Sequence, residues 1–237
     1  WDDFEQGKQM ALSLDALAST HPVRCRVANA EQATENFDAI TYEKGEPAIV
    51  EEDHTGDGRP DFRAEFNTDG SKKLELQDTN ADGSFDVTIR YERGEKVRVD
   101  EDSDHSGRVD SVTLYRSGKI VRRRADTSGD GHFDTESSYQ DGNERRQVRD
   151  RDADGNAEAV SLILPNGDRE REEFDPDDDG RVSLVRSYRE GQKARESEDT
   201  NGNGRFDLES WFQGGVIARS EADGNHDGEK DVFVAFR

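Results

Sequence analysis

One nine-residue pattern recurs along this chain and constrains its fold more than any other feature. The pattern is D-x-[DNST]-x-[DNS]-G-x-x-[DES], and it occurs eight times, with successive copies starting 24 or 25 residues apart. Position one is always Asp, position six is always Gly, and positions three, five and nine always carry a side chain with an oxygen atom. A fixed period of this length predicts stacked copies of one supersecondary unit. We number the copies loop one to loop eight, and they start at Asp53, Asp78, Asp102, Asp126, Asp150, Asp175, Asp199 and Asp223.

Oxygen side chains at alternate positions around a glycine are typical of a site for a hard cation. Ca²⁺ takes about six to eight oxygen ligands, and glycine permits the sharp turn that lets the side chains converge. We therefore expect side-chain ligands from positions one, three, five and nine, and a backbone carbonyl ligand from position seven. The expected side-chain ligands are Asp53, Thr55, Asp57, Asp61, Asp78, Asn80, Asp82, Asp86, Asp102, Asp104, Ser106, Asp110, Asp126, Ser128, Asp130, Asp134, Asp150, Asp152, Asp154, Glu158, Asp175, Asp177, Asp179, Ser183, Asp199, Asn201, Asn203, Asp207, Asp223, Asn225, Asp227 and Asp231. The expected position-seven residues are Arg59, Ser84, Arg108, His132, Asn156, Arg181, Arg205 and Glu229.

These loops differ from EF-hands after position nine. An EF-hand needs a bidentate Glu at position twelve, where loop one has Ala64 and loop two has Ile89. With an acidic ninth residue in its place, the pattern resembles the D-x-D-x-D-G-x-x-D calcium loops of thrombospondin type 3 repeats and of integrin-type propellers. The resemblance covers residues 53 to 237 and concerns the metal loop more than the surrounding fold. Thrombospondin type 3 repeats carry disulfides, which this chain cannot form internally because Cys25 is its only cysteine.

The charge distribution supports a metal-binding role for the loops. The net charge is −23, and 24 of the 56 Asp and Glu residues occupy the expected ligand positions. The other 32 acids nearly balance the 33 Lys and Arg residues, and eight Ca²⁺ would bring the net charge to −7. Without an ion, the carboxylates of each loop would repel one another. We therefore expect folding and calcium binding to be coupled.

Between the loops, the sequence predicts β-hairpins. In the second unit, Phe85, Val87, Ile89 and Tyr91 alternate with polar residues, and Arg93-Gly94 predicts a two-residue turn before the chain returns. Position fourteen is aromatic in seven of eight units, and position eight is usually apolar. We expect the two positions to share a strand face, which favours a core that stacks one unit on the next over a binding platform. The predicted fold is all-β: an elongated, twisted antiparallel array of 24-residue hairpin repeats joined by calcium loops, with a short N-terminal helix. A β-propeller with two units per blade is the alternative.

The sequence divides into three predicted regions. Residues 1–28 are expected to be a helical cap or docking segment, because apolar residues recur at helical spacing within the first twenty residues. Residues 29–52 are predicted to be a degenerate capping repeat without metal, and residues 53–237 are predicted to be the eight calcium-binding repeats. Four histidines lie inside the loops, at positions two, four, seven and four, so they share no common register and we expect no zinc site.

For function, the sequence favours a calcium-stabilised structural repeat protein that is extracellular or on the cell surface and is not an enzyme. Calcium sites of extracellular modules bind weakly, on the order of 10⁻⁴ to 10⁻³ M, and would be empty in a cytosol. A spacer, a surface-layer or filament component and an adhesin stalk fit this description, with about eight Ca²⁺ as the cofactor. The alternative is a recognition module that binds polysaccharide, another surface protein or its own copies. No nucleotide-binding or nucleophile motif is found, and neither a nucleic-acid partner nor a membrane span is expected.

Overall fold

The structure is a computed structural model that describes residues 23–28 and 37–236, with side chains from residue 38 onward. Within these ranges the chain forms eighteen β-strands and no α-helix. It divides into two compact units, one ending at Gly118 and the other beginning at Lys119.

The first unit contains eight strands. Their bounds are β1 Val23–Ala28, β2 Phe37–Glu43, β3 Glu46–Asp53, β4 Phe62–Phe66, β5 Lys72–Gln77, β6 Val87–Glu92, β7 Glu95–Glu101 and β8 Ser111–Arg116. The second unit contains ten, which are β9 Lys119–Ala125, β10 Thr135–Gln140, β11 Asn143–Arg149, β12 Ala159–Ile163, β13 Arg169–Phe174, β14 Leu184–Arg189, β15 Gln192–Glu198, β16 Leu208–Gln213, β17 Val216–Ala222 and β18 Val232–Ala235.

The all-β hairpin array predicted from the sequence is confirmed. Within each unit, every strand pairs antiparallel with the strand before it and the strand after it in the chain. This pairing is unbroken from β1 to β8 and from β9 to β18, whereas four-stranded propeller blades would interrupt it after every fourth strand. The propeller alternative is therefore wrong. Because strand direction alternates, the Asp-rich loops of a unit lie at one end of its strands and the hairpin turns at the other.

The turns owe their shape to residues that adopt a positive φ. In the β6–β7 hairpin, Arg93 has φ 52° and Gly94 has φ 79°, which is the type I′ geometry that matches the natural twist of paired strands. The two 25-residue repeats use a longer turn. In the first of these, the Asn67 N–H donates to the Ser71 carbonyl at 2.8 Å. The extra residue is thus absorbed in the turn, and the strand register is unchanged.

A β-bulge follows the turn in most hairpins, and no pattern in the sequence predicts it. In the β6–β7 pair, Arg90 faces Arg98 but Tyr91 faces Lys96, so Val97 is the extra residue of the return strand. Six other hairpins shift register at the same position of the repeat. Bulges increase local strand twist, and here they occur beside the residue at position fourteen.

The interior is thin and largely polar. The described residues bury five apolar side chains, all Ala or Val, against fifteen polar or charged ones. Seven of those fifteen are aspartates at position one or nine of a loop, so the loops form part of the interior. The aromatic residues at position fourteen are half-buried, except for Phe236, which is 51% exposed. Position eight lies within the loop, and it is exposed in four of the eight loops, at Phe85, Val109, Val182 and Phe206.

The N-terminal region is described only in part. Residues 23–28, which the sequence assigned to the helical cap, form β1 and pair with β2. The helix expected within residues 1–20 lies outside the described residues, as does the first part of the capping repeat. The hairpin of that repeat is present as β2 and β3. No helix that would cross a membrane occurs in residues 23–28 or 37–236.

A buried carboxylate on β5 shows how polar groups are accommodated in this interior. Glu75 is 8% exposed and accepts hydrogen bonds from Lys72 Nζ at 2.7 Å, Gln77 Nε2 at 2.6 Å and Tyr91 Oη at 3.1 Å. Burial alone would raise the pKa of Glu75, but these hydrogen bonds outweigh burial and hold the pKa below its ordinary value of 4.5. Burial, followed by the charge of Glu75, raises the pKa of Tyr91 to about 12. The ionised Glu75 therefore stabilises the fold.

We predict that Glu75→Gln lowers the free energy of unfolding by about 1–3 kcal/mol at neutral pH, because it replaces a charged acceptor of buried hydrogen bonds. The folded pKa of Glu75 is lowered, so its stabilisation is present above pH 4.5 and is lost as pH falls through the folded pKa. Urea denaturation at a series of pH values should show the difference from wild type shrinking in acid. Glu95→Gln, at an exposed strand end, is the control. A loss that does not change with pH would contradict this account.

Candidate metal centre

Each Asp-rich loop connects two hydrogen-bonded strands, and seven of the eight loops are closed by a backbone hydrogen bond from position nine to the residue before position one. In loop one, the Asp61 N–H at position nine donates to the carbonyl of Glu52, the residue before position one, at 2.8 Å. The corresponding bond joins Asp86 to Gln77 at 2.8 Å in loop two. The strand pair on either side therefore fixes both ends of the loop, and the residues between them must curl.

The carboxylate at position one organises the curl. In all eight loops one of its oxygens accepts a hydrogen bond from the backbone N–H of the glycine at position six, at 2.6 to 3.1 Å. In several loops its other oxygen accepts the N–H of position four, as in the 2.7 Å bond from Gly129 to Asp126. The position-one carboxylate thus points into the loop and is held by backbone donors.

The carboxylate at position nine holds the first part of the loop. In loop one, Asp61 Oδ2 accepts the N–H groups of His54 at 2.6 Å and Thr55 at 2.8 Å. The N–H of position two donates to the position-nine carboxylate in all seven loops where that residue is acidic. Loop six has Ser183 at this position, and it has no such bond among the described residues. Positions one and nine are therefore fixed from opposite ends of the loop.

The side chain at position five is also held by a hydrogen bond from the backbone. This side chain accepts the N–H of position seven in seven loops, with distances of 2.7 to 2.9 Å. In loop three, where Ser106 occupies position five, the Ser106 N–H instead donates to Asp104 at position three at 3.1 Å. These bonds orient the side chains predicted from the sequence to be ligands, and each retains lone pairs for a cation.

Two residues of each loop have a positive φ, and the sequence pattern revealed only one of them. The glycine at position six has φ between 82° and 99° in every loop. Position four is also left-handed, although it is Ala81, His105, Ala153, Asp178 or His226 in five of the loops, with φ between 56° and 62°. Its identity varies too much for the motif to show its conformation.

Three loops bring three of their own carboxylates together, with ligand atoms within 4.8 Å of one another. The groups are Asp102, Asp104 and Asp110 of loop three, Asp150, Asp152 and Asp154 of loop five, and Asp175, Asp177 and Asp179 of loop six. These Asp-rich groups can hold metal ions. No other loop in the described part of the chain gathers three carboxylates this closely, and in each of the others an amide or hydroxyl replaces at least one acid at positions three and five. The complete ligand set predicted from the sequence stays a prediction.

Backbone donors and neighbouring acids set the protonation of the loops. For Asp126, burial would raise the pKa, but hydrogen bonds from Gly131, Gly129 and Ser128 lower it overall. At Asp178, burial and then the charges of Asp154, Asp152, Glu158 and Asp175 raise the pKa to about 6. Negative charge is thus crowded at the junction of loops five and six.

Successive loops within a unit are connected. The N–H at position one of loop two, Asp78, donates to the carbonyl at position nine of loop one, Asp61, at 2.8 Å. The same bond joins Asp150 to Asp134 at 2.9 Å. The guanidinium of Arg59, at position seven of loop one, donates to the Asp82 carbonyl of loop two at 3.3 Å. Any ion that orders one loop therefore acts on groups bonded to the next.

Comparisons with known proteins give only short or distant similarities. No family model matches the chain. It is 33% identical over 94 residues to an alanine/arginine aminopeptidase of Saccharomyces cerevisiae, and the match covers 35% of this chain. It is 39% identical over 49 residues to aminopeptidase M1-C of Oryza sativa subsp. japonica, covering 21% of this chain. The matched segments span 11% and 6% of the length of those two enzymes.

Two solved structures are similarly remote. The accessory secretory protein 1, 2 and 3 structure from Streptococcus pneumoniae matches with a TM-score of 0.30 and 19% identity, over 39% of this chain and 18% of that one. The structure of TarM matches with a TM-score of 0.23 and 9% identity, over 70% of this chain and 22% of that one.

We predict that the two left-handed positions of loop five respond unequally to exchange of Ala and Gly. Gly155 has φ 99°, and an added Cβ would meet no atom within 4 Å, so Gly155→Ala tests backbone strain alone and should cost about 1–3 kcal/mol. Ala153→Gly relieves strain at φ 58° but adds freedom to the unfolded chain, so it should change stability by less than about 1 kcal/mol. Chemical denaturation of both variants measures the difference, and equal losses would contradict the loop geometry.

Proposed function

We propose that this protein is a calcium-stabilised extracellular structural repeat protein that binds about eight Ca²⁺ and has no enzymatic activity. The observation that carries the proposal is the repeated loop in which backbone N–H groups hold the position-one carboxylate in all eight copies. Hard oxygen donors held in this way by a curled loop suit Ca²⁺. A spacer, a filament or surface-layer component and an adhesin stalk are the structural roles we consider.

The thin interior supports a structural role for the ions. Only five apolar side chains are buried among the described residues, and burial of apolar surface is the usual source of folding free energy. Seven position-one and position-nine aspartates are buried instead, and buried carboxylates destabilise a fold unless they are paired or coordinated. Bound Ca²⁺ would coordinate these carboxylates, so that they would stabilise the fold instead of destabilising it.

The same chemistry supports an extracellular location. Sites of this type in extracellular modules have dissociation constants on the order of 10⁻⁴ to 10⁻³ M, so they fill only where calcium is abundant. Carboxylates committed to Ca²⁺ are poor general acids, which favours a non-enzymatic role. The aminopeptidase matches are too short to favour that activity here.

A recognition module is the second candidate, and strand β18 favours it. Within the described residues, β18 pairs only with β17, and Phe233 and Phe236 are 66% and 51% exposed. An open strand edge with apolar side chains is a surface for another strand. Light scattering of the calcium-loaded protein, with Phe233→Lys as the comparison, would detect self-association through this edge.

We predict that an excess of chelator abolishes the native β-sheet signal in circular dichroism, and that millimolar Ca²⁺ restores it. Isothermal titration should give about eight ions for the wild type and one fewer for Asp126→Ala, which removes the position-one carboxylate of loop four. Asp141→Ala, at the tip of the β10–β11 turn, is the control and should bind the full number. An unchanged β signal in chelator would overturn the proposal, as would full stoichiometry in Asp126→Ala.

We also predict that the sites differ in affinity. Loop five has four acids at the side-chain ligand positions, whereas loop seven has two acids and two amides, and affinity for Ca²⁺ rises with ligand charge. Asp150→Asn should therefore remove the tightest phase of the titration, and Asp199→Asn should leave that phase intact. A titration that fits eight identical sites would contradict this ranking.

A further inference from the structure

Position four of loop six lies against loop five. This residue is Asp178, which has a left-handed backbone with φ 56°. A carboxylate oxygen of Asp178 lies within 4.8 Å of ligand oxygens of Asp152 and Glu158, at positions three and nine of loop five. A side chain of one loop thus joins the ligand group of the loop before it.

Three buried carboxylate oxygens at this junction lack hydrogen-bond donors. Oδ1 of Asp178 is buried without a hydrogen-bond partner, and so are Oδ1 of Asp150 in loop five and Oδ1 of Asp175 in loop six. Asp175 is 2% exposed, so its free oxygen is enclosed by protein within the acidic group of loop six. A buried carboxylate oxygen without a partner is costly. Because the neighbouring polar groups are other carboxylates, a cation is the partner that satisfies them.

Position four makes the same approach at two other loops. His105 Nδ1, at position four of loop three, is 3.1 Å from Asp86 Oδ1 of loop two. His226 Nδ1, at position four of loop eight, is 2.6 Å from Asn201 Nδ2 and 3.7 Å from Asp207 Oδ2 of loop seven. The backbone therefore places position four over the preceding loop wherever the residue is long enough to reach it. At loop six, that residue is an acid.

We propose that Asp178 of loop six is a calcium ligand of the site in the preceding loop, loop five. With Asp150, Asp152, Asp154 and Glu158, it makes a site of five carboxylates. This inference rests on the proposed calcium-binding function. The additional carboxylate from Asp178 is a second reason why the loop-five site should be the tightest. The ion would also connect two repeats, because Asp178 and Asp175 belong to the same loop.

The test is isothermal titration with Ca²⁺ alone of the full chain and three single variants. Asp178→Asn removes the charge and keeps the shape, and it should weaken the tightest site roughly tenfold or more without changing the number of ions bound. Asp141→Asn makes the same change at a turn outside the loops and should leave every affinity unchanged. Ala153→Asp places an acid at position four of loop five, at nearly the same φ as Asp178, and should tighten the loop-four site by a similar factor.

A double variant identifies the loop that Asp178 serves. In an Asp150→Asn background, where the loop-five site is already lost, Asp178→Asn should have no further effect on the remaining affinities. A further loss there would assign Asp178 to loop six and overturn the proposal, as would an unchanged tight site in the single variant. If the wild type binds no Ca²⁺, the proposed calcium-binding function fails together with this inference. If the wild type and Asp178→Asn both bind Ca²⁺ with the same affinities, only the role of Asp178 as a ligand is refuted.

Discussion

The hydrogen bond between the position-one carboxylate and the position-six glycine N–H is the interaction on which the rest of this structure depends. It is present in all eight loops, and it curls the chain so that alternate oxygens face one another. The curl also returns the chain to its sheet, because position nine bonds back to the residue before position one. The same few residues therefore define both a metal-binding geometry and the connection between consecutive hairpins.

The arrangement concentrates negative charge where an ordinary fold would place apolar side chains. Asp53, Asp175 and Asp134 are each only 2% exposed, which makes them more buried than most of the aromatic rings. Backbone N–H groups offset part of the cost of burying these charges, because each of the three carboxylates accepts a hydrogen bond from a backbone N–H of its own loop. They do not offset all of it, because Asp150, Asp175 and Asp178 retain buried oxygens without donors. A divalent cation would compensate for the oxygens that have no donor.

Local residue chemistry explains why strands, turns and loops could be predicted from the sequence. Arg93-Gly94 predicts a two-residue turn and loop two predicts a curl, since each depends on residues adjacent in the chain. The features that were missed depend on neighbours in space. The role of position four is hidden because Ala153 and Asp178 share a backbone conformation but only the acid reaches the preceding loop. Position eight was expected to be core, yet at Phe85 it remains in the loop, because β6 begins only at Val87.

Contacts between loops give the repeat its direction along the chain. Position one of a loop donates its N–H to position nine of the loop before it, as Asp150 does to Asp134, and position four points back in the same sense. Positions one and four of a loop therefore contact the loop before it, whereas position seven can reach the loop after it, as the Arg59 guanidinium does toward the Asp82 carbonyl. A repeat lacking a successor would have a less complete site, and stability in such an array depends on neighbouring units as much as on each unit alone. If cations fill these loops, an ion that orders one loop would also order the adjacent hairpin, because backbone hydrogen bonds already connect the two.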